Sequence, residues 1–226
     1  GKLVADIRID GAGKKVTRSD NCRVSDLSVS SDNLTFTYEA KSLPYPIDTS
    51  YYDNEKHTQA DALSVIPFMD EMNYEGLSVS GLSDGYYGLT IGGEFIGRFT
   101  ARELERGINM ALLQNTPQYK QAMKIRQMNE ERWLKERKMR EFYWVEYNLM
   151  RKTGMLWACD EAAVDTLRKY RPHDIFLQWN GDLWLQYMHK GIREDCVNEQ
   201  QDLVDRIYEQ NKPIPLQIEI KKFTDL

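Results

Sequence analysis

The stretch "GINMALLQNTPQYKQAM", residues 107–123, is where this chain changes its period. On its N-terminal side apolar residues alternate, the pattern of half-buried strands. On its C-terminal side they recur at three and four, the pattern of a helix. Inside it, Thr116-Pro117 reads as a helix start, with Thr as the capping residue and Pro at the first helical position. From there to about Thr153 no proline or glycine intervenes, and Gly154 supplies a stop. The spacing predicts a helix over 117–153, about 55 Å long at 1.5 Å per residue. A compact domain of this size has a radius of gyration of about 17 Å, so such a helix must kink, protrude or lie against another domain.

Working back from the junction, Leu3, Ala5, Ile7 and Ile9 share one strand face. A second strand pattern runs from Cys22 to Val29 and slips by one between Val24 and Leu27, as a bulge does. Leu34, Phe36, Tyr38 and Ala40 alternate cleanly. A proline-bearing loop at about 42–66 interrupts the pattern, and its length makes it a candidate functional loop. Strands resume at Leu77, with Ser83-Asp84-Gly85 and Gly92-Gly93 as hairpin signals. Residues 1–106 therefore read as an antiparallel β unit resembling a sandwich.

Residues 107–226 read as a helical region. Nine of the twelve residues Glu130 to Glu141 are charged, a solvated face in which Glu131 precedes Lys135 and Glu136 precedes Arg140 by four. "FYWVEYNLM" follows and reads as buried all round. Shorter helices are expected over Asp160 to Tyr170 and Asn198 to Gln210, with a tryptophan-rich segment between them. A final strand at about 214–221 would make one integrated domain if it returned to the N-terminal sheet. The fold class is α+β.

Composition narrows the function. With 30 basic and 35 acidic residues the net charge is -5, which gives no bulk attraction to nucleic acid or anionic membrane. No apolar run reaches the ~18 to 20 residues of a membrane span. Cys22, Cys159 and Cys196 are odd in number and far apart, without a zinc pattern, and read either as buried free thiols or as one disulfide with one free thiol. No motif calls for a metal or a cofactor. The chain opens on Gly and passes straight into a strand, as expected of a fragment cut from a longer polypeptide.

Catalytic motifs are equally sparse. The histidines are His57, His173 and His189, and no serine lies in a nucleophile elbow or a Gly-Asp-Ser turn. "DGAGKK" at 10–15 lacks phosphate-loop spacing and reads as a turn. Tyr45, Tyr51 and Tyr52 in the long loop, with Trp157, Trp179 and Trp184, offer rings that stack on sugars where exposed. Asn109, inside an apolar run, reads either as a side chain bonding nearby backbone or as a polar contact to another domain.

Taken in order, "LTFTYEAKSLPYPID", "ADALSVIPFMDEMNYEGLSVSGLSDGYYGLTIGGEFIG", "ELERGINMALLQNTPQYKQAMKI" and "NEERWLKERKMREFYW" resemble the region that follows the catalytic domain in bacterial SGNH/GDSL-type hydrolases. The likeness covers roughly residues 30–220. The family's Gly-Asp-Ser and Asp-x-x-His blocks are not found here. Asp53 to His57 is one residue too long, and "WNGD" at 179–182 is not the family's Gly-x-Asn-Asp. The resemblance implies a non-catalytic accessory region of an exported ester hydrolase acting on acylated carbohydrate, partnered by the SGNH catalytic domain of the same polypeptide. Dimerisation and polysaccharide binding are further implied roles. Asn109, Arg132 and Trp133 are then candidates for interdomain contact, and Tyr45, Tyr51 and Tyr52 for carbohydrate.

Overall fold

The computed structural model describes residues 3–49 and 58–223. Tyr51, Tyr52, Asp53 and His57 lie outside the described residues. The chain packs as two units, Gly1–Arg126 with Gln210–Leu226, and Gln127–Glu209.

The first unit is built on two sheets. β1 (Ala5–Asp10), β2 (Lys15–Asp20), β3 (Cys22–Val29) and β4 (Asn33–Ala40) come first, and a short helix α1 (Phe68–Glu71) follows the loop. Then come β5 (Glu75–Ser80), β6 (Tyr86–Ile91), β7 (Glu94–Thr100), α2 (Ala101–Arg106) and the two-residue β8 (Ile108–Asn109). One sheet has the order β2-β1-β5-β8. The other has the order β3-β4-β9-β6-β7, where β9 is Leu216–Lys222 near the chain's end. Ile7, Ile9, Leu77 and Val79 of the first sheet and Phe36, Leu89, Ile91, Ile218 and Ile220 of the second belong to one buried cluster.

β9 is the central strand of its sheet. Ile218 faces Phe36 on one side and Ile91 on the other, and Ile220 faces Leu34 and Leu89. Both isoleucines are at most 1% exposed, so the last strand of the sequence closes the core opened by the first. α2 shows how the local sequence stops and starts elements: Thr100 and Glu103 form a reciprocal capping box, and Gly107 ends the helix at φ 94°.

Some expectations need correcting, and the bulge in β3 is borne out. Gly92-Gly93, at φ 59° and 83°, closes the β6–β7 hairpin, but the Ser83-Asp84-Gly85 turn does not close one. It carries the chain from one sheet to the other, because β5 pairs with β1 and not with β6. That β1–β5 pairing is parallel within otherwise antiparallel sheets. The slip in β3 is a bulge between Ser25 and Ser28, with Asp26 at φ 56°. In the second unit, the tryptophan-rich segment is itself a helix.

α3 (Pro117–Val145) begins in the first unit and continues into the second. The Thr116 hydroxyl accepts from the Tyr119 amide at 3.3 Å, the expected cap. After Val145 the helix widens into a π turn, Glu146–Met150, where the Arg151 amide donates to the Glu146 carbonyl. "FYWVEYNLM" is not buried all round. Phe142, Val145, Glu146, Leu149 and Met150 are buried, whereas Tyr143, Tyr147 and Asn148 are exposed, because only one helix face meets α4 (Glu161–Tyr170) and α5 (Ile175–Tyr187) in the shared core. α6 (Lys190–Gln210) completes the unit. Along the charged stretch Glu136 pairs with Arg140, while Lys135 reaches Glu199 on α6 at 2.6 Å in place of Glu131.

Candidate functional site

In the first unit the long loop is held by a chain of hydrogen bonds that starts at a buried carboxyl. Glu75 opens β5 and shares the inward face of Leu77 and Val79. The Tyr38 hydroxyl donates to its Oε1 at 2.8 Å, and Gln118 Nε2 donates weakly to both oxygens at 3.3 and 3.4 Å. Among the described residues no cation pairs with it. Burial pushes the carboxyl up to about 7, against the opposing pull of the Tyr38 and Gln118 hydrogen bonds. Burial also raises the Tyr38 phenol well above its ordinary range, reinforced by the Glu75 charge, and raises the Cys22 thiol to about 11.

Asn109 connects this centre to the loop. Its Oδ1 accepts from the Glu75 and Ala111 amides at 2.9 and 3.1 Å, and its Nδ2 donates to the Met69 and Asn73 carbonyls at 2.9 and 3.3 Å. Both lone pairs and both protons are thus engaged with nearby backbone. Asn73 repeats the device: its Oδ1 accepts from the Tyr45 amide at 2.8 Å and its Nδ2 donates to the Tyr45 carbonyl at 2.9 Å. The Tyr45 ring, 47% exposed, meets Phe68 edge-on at 5.7 Å. Beyond it, Tyr119 donates to the Ile47 carbonyl and Arg126 pairs with Asp48 at 2.6 Å. The result is a rigid loop base that presents Tyr45.

The second unit has its own buried carboxylate. Glu146, on the π turn, accepts from the Trp184 indole N–H at 2.8 Å and from the Trp157 amide at 2.9 Å. The second contact holds Trp157 at φ 64°, a conformation costly for a bulky residue. Phe142, Tyr143 and Tyr147 surround the Trp157 ring. Next to this core, Trp144, Asn148, Leu149, Lys152, His173 and Asp174 are among the residues lining a cleft of about 380 Å³. Arg132 bonds Asn129 and Glu136, and Trp133 is 46% exposed with Arg140 stacked on it at 5.7 Å.

Among the described residues, no serine, histidine and carboxylate are joined by hydrogen bonds. Ser83 bonds Tyr87 and Lys222, His173 lines the cleft, and His189 is exposed beyond α5. Cys22, Cys159 and Cys196 are free thiols, Cys159 exposed and the others buried. Of the sugar-stacking candidates, Trp157 and Trp179 are 44% and 67% exposed, and Trp184 is fully buried.

Glu75 and Glu146 were not singled out in the sequence, yet a signal existed for each. Glu75 lies two before Leu77 and four before Val79 in a strand, and Glu146 lies four after Phe142 and three before Leu149 in a helix. Each occupies the inward register of its element.

Residues 123–212 match the family described as the diltiazem deacetylase C-terminal helical domain. Among solved structures, the chain is similar to a gut microbial diltiazem-metabolizing enzyme, with 36% identity and a TM-score of 0.92 over 99% of this chain and 50% of that one. The chain thus spans about half the length of the enzyme it matches. No curated protein matches it.

Proposed function

We infer that this chain is an accessory region of an ester hydrolase, bracing and shaping a catalytic domain in the same polypeptide. The observation that carries this reading is its end-to-end likeness to half of a diltiazem-metabolizing enzyme, at a TM-score of 0.92. The deacetylase domain matched by residues 123–212 supports it, being a helical domain at the C-terminal end of an enzyme named for removing an acetyl group. The finer reading is an exported SGNH/GDSL-type enzyme acting on acylated carbohydrate, and the ordered motifs at 30–220 support that. In it the β unit is a sandwich, and Arg132 and Trp133 contact the catalytic domain. Asn109 acts from beneath, by fixing the loop base. The test is hydrolysis of an aryl acetate by this chain alone. The expected result is no turnover above buffer; turnover abolished by a serine-directed phosphonate would overturn the reading.

A second reading, polysaccharide binding by the loop, is favoured by the exposed Tyr45 ring on its braced backbone. It predicts retention on a glycan matrix that is lost in Tyr45→Ala, and equal retention of the variant would exclude that surface.

A further inference from the structure

Trp157 is held in place at two costs. Its φ of 64° suits glycine and strains a bulky residue. Its amide is fixed at 2.9 Å by Glu146, a buried carboxylate that pairs with no cation among the described residues. The ring is not buried in return. It stays 44% exposed, with Tyr143 and Tyr147 nearly at right angles to it, each 6.0 Å away. Backbone strain of this kind concentrates at ligand clamps and active sites.

Trp157 lines a cleft of about 350 Å³, within the range of small-molecule sites. α3 supplies Met139 and Tyr143, four residues apart, and α6 supplies Lys190, Glu194, Val197 and Asn198 from one helical face. Phe142 joins the two sides: its ring centre is 6.4 Å from that of Trp157 and 4.9 Å from the Arg193 guanidinium of α6. The charges around the cleft are already matched. Lys190 pairs with Glu194 at 3.3 Å. Arg193 donates to the Tyr187 and Met188 carbonyls at 2.6 and 2.7 Å, at the C-terminal end of α5, where a cation is favoured. The groups left free are neutral. Among the described residues the Asn198 side-chain amide and the Tyr143 hydroxyl make no hydrogen bond, and each can both donate and accept. The Trp157 indole N–H, also unbonded, adds a donor. A sugar has the matching chemistry, with hydroxyls that donate and accept and an apolar C–H face that packs on an indole.

We propose that this cleft of the second unit binds a neutral oligosaccharide, with a pyranose ring stacked on Trp157 and its hydroxyls bonded to Asn198 and Tyr143. The site uses no residue of the Tyr45 loop and its test needs no ester turnover, so it is independent of both proposed functions. The full chain is titrated at pH 7 with cellohexaose, xylohexaose, mannohexaose and maltohexaose, by calorimetry and tryptophan fluorescence. At least one of them is expected to bind one-to-one with a Kd of about 1 mM or tighter. Trp157→Gly relieves the positive φ, so its Tm should equal or exceed that of the wild type while the affinity falls about tenfold or more. Asn198 is exposed, so Asn198→Ala keeps the fold and should weaken binding about fivefold. Tyr45→Ala should leave the affinity unchanged. No saturable binding of any of the four up to about 10 mM would overturn the proposal. So would an affinity unchanged in Trp157→Gly or Asn198→Ala, or a loss in Tyr45→Ala equal to that in Trp157→Gly.

Discussion

Replacing Glu75 with Gln removes a charge from the centre of the first unit while keeping its shape, and the consequence follows from linkage. The carboxyl is fully buried, and its pKa rises from 4.5 to about 7 on folding. Between those values the folded chain holds a proton that the unfolded chain has released. Its contribution to stability is therefore complete below pH 4.5 and is lost as pH rises through about 7. At about 1.4 kcal/mol per pH unit, the loss between pH 5 and pH 8 is on the order of 2 to 3 kcal/mol. For a unit of this size that is a fall in Tm of about 5–10 °C. Glu75→Gln should remove this component, because the amide oxygen still accepts from Tyr38 and no charge develops. The assay is thermal unfolding at pH 5 and pH 8, followed by far-UV circular dichroism and by hydrogen exchange at β5. All five tryptophans lie in the second unit, so indole fluorescence serves as a control there. If the wild type loses no stability over this range, or the variant loses as much as the wild type, the reasoning is wrong.

Other perturbations probe the remaining supports. Ile218→Ala, at the centre of the five-stranded sheet, should cost about 2–5 kcal/mol in chemical denaturation. Glu146→Ala leaves the buried Trp184 indole N–H and the part-buried Trp157 amide unpaired and should destabilise the second unit by about 2–4 kcal/mol, read by tryptophan fluorescence, with Glu146→Gln intermediate. Asn109→Ala should speed hydrogen exchange around Met69 to Asn73 and Tyr45 by about tenfold while leaving the second unit unchanged.

Much of the fold was legible because its elements carry single, unmixed periods. The alternation in Leu34 to Ala40, the Thr116-Pro117 helix start and the Asp160 cap, whose Oδ1 accepts from the Ala163 amide, each encode their element locally. What was not legible depends on partners distant in sequence. Nothing within Ser83 to Gly85 says whether the next strand pairs with β5 or crosses to the other sheet; that is decided by β1 and β9 taking the neighbouring positions. The tryptophan-rich segment was ambiguous because it is apolar on several faces, and its helix is announced only by Asp174 capping Phe176 and Leu177.

The candidate sites divide in the same way. Asn109 was visible as a polar residue in an apolar run; its bond to Ala111 is local in sequence, while those to Glu75, Asn73 and Met69 span 34 to 40 residues. The cleft was invisible, since it draws Trp144 and Asn148 from one helix and His173 and Asp174 from the turn before another.

The central claim is that this region supports ester hydrolysis without performing it, and a fluorophosphonate label tests it most directly. The longest reading frame containing the chain would be expressed, labelled, digested and mapped by mass spectrometry. A labelled serine is expected outside residues 1–226 and none inside. A label on any serine within this chain, with loss of activity in the corresponding Ser→Ala variant, would contradict it.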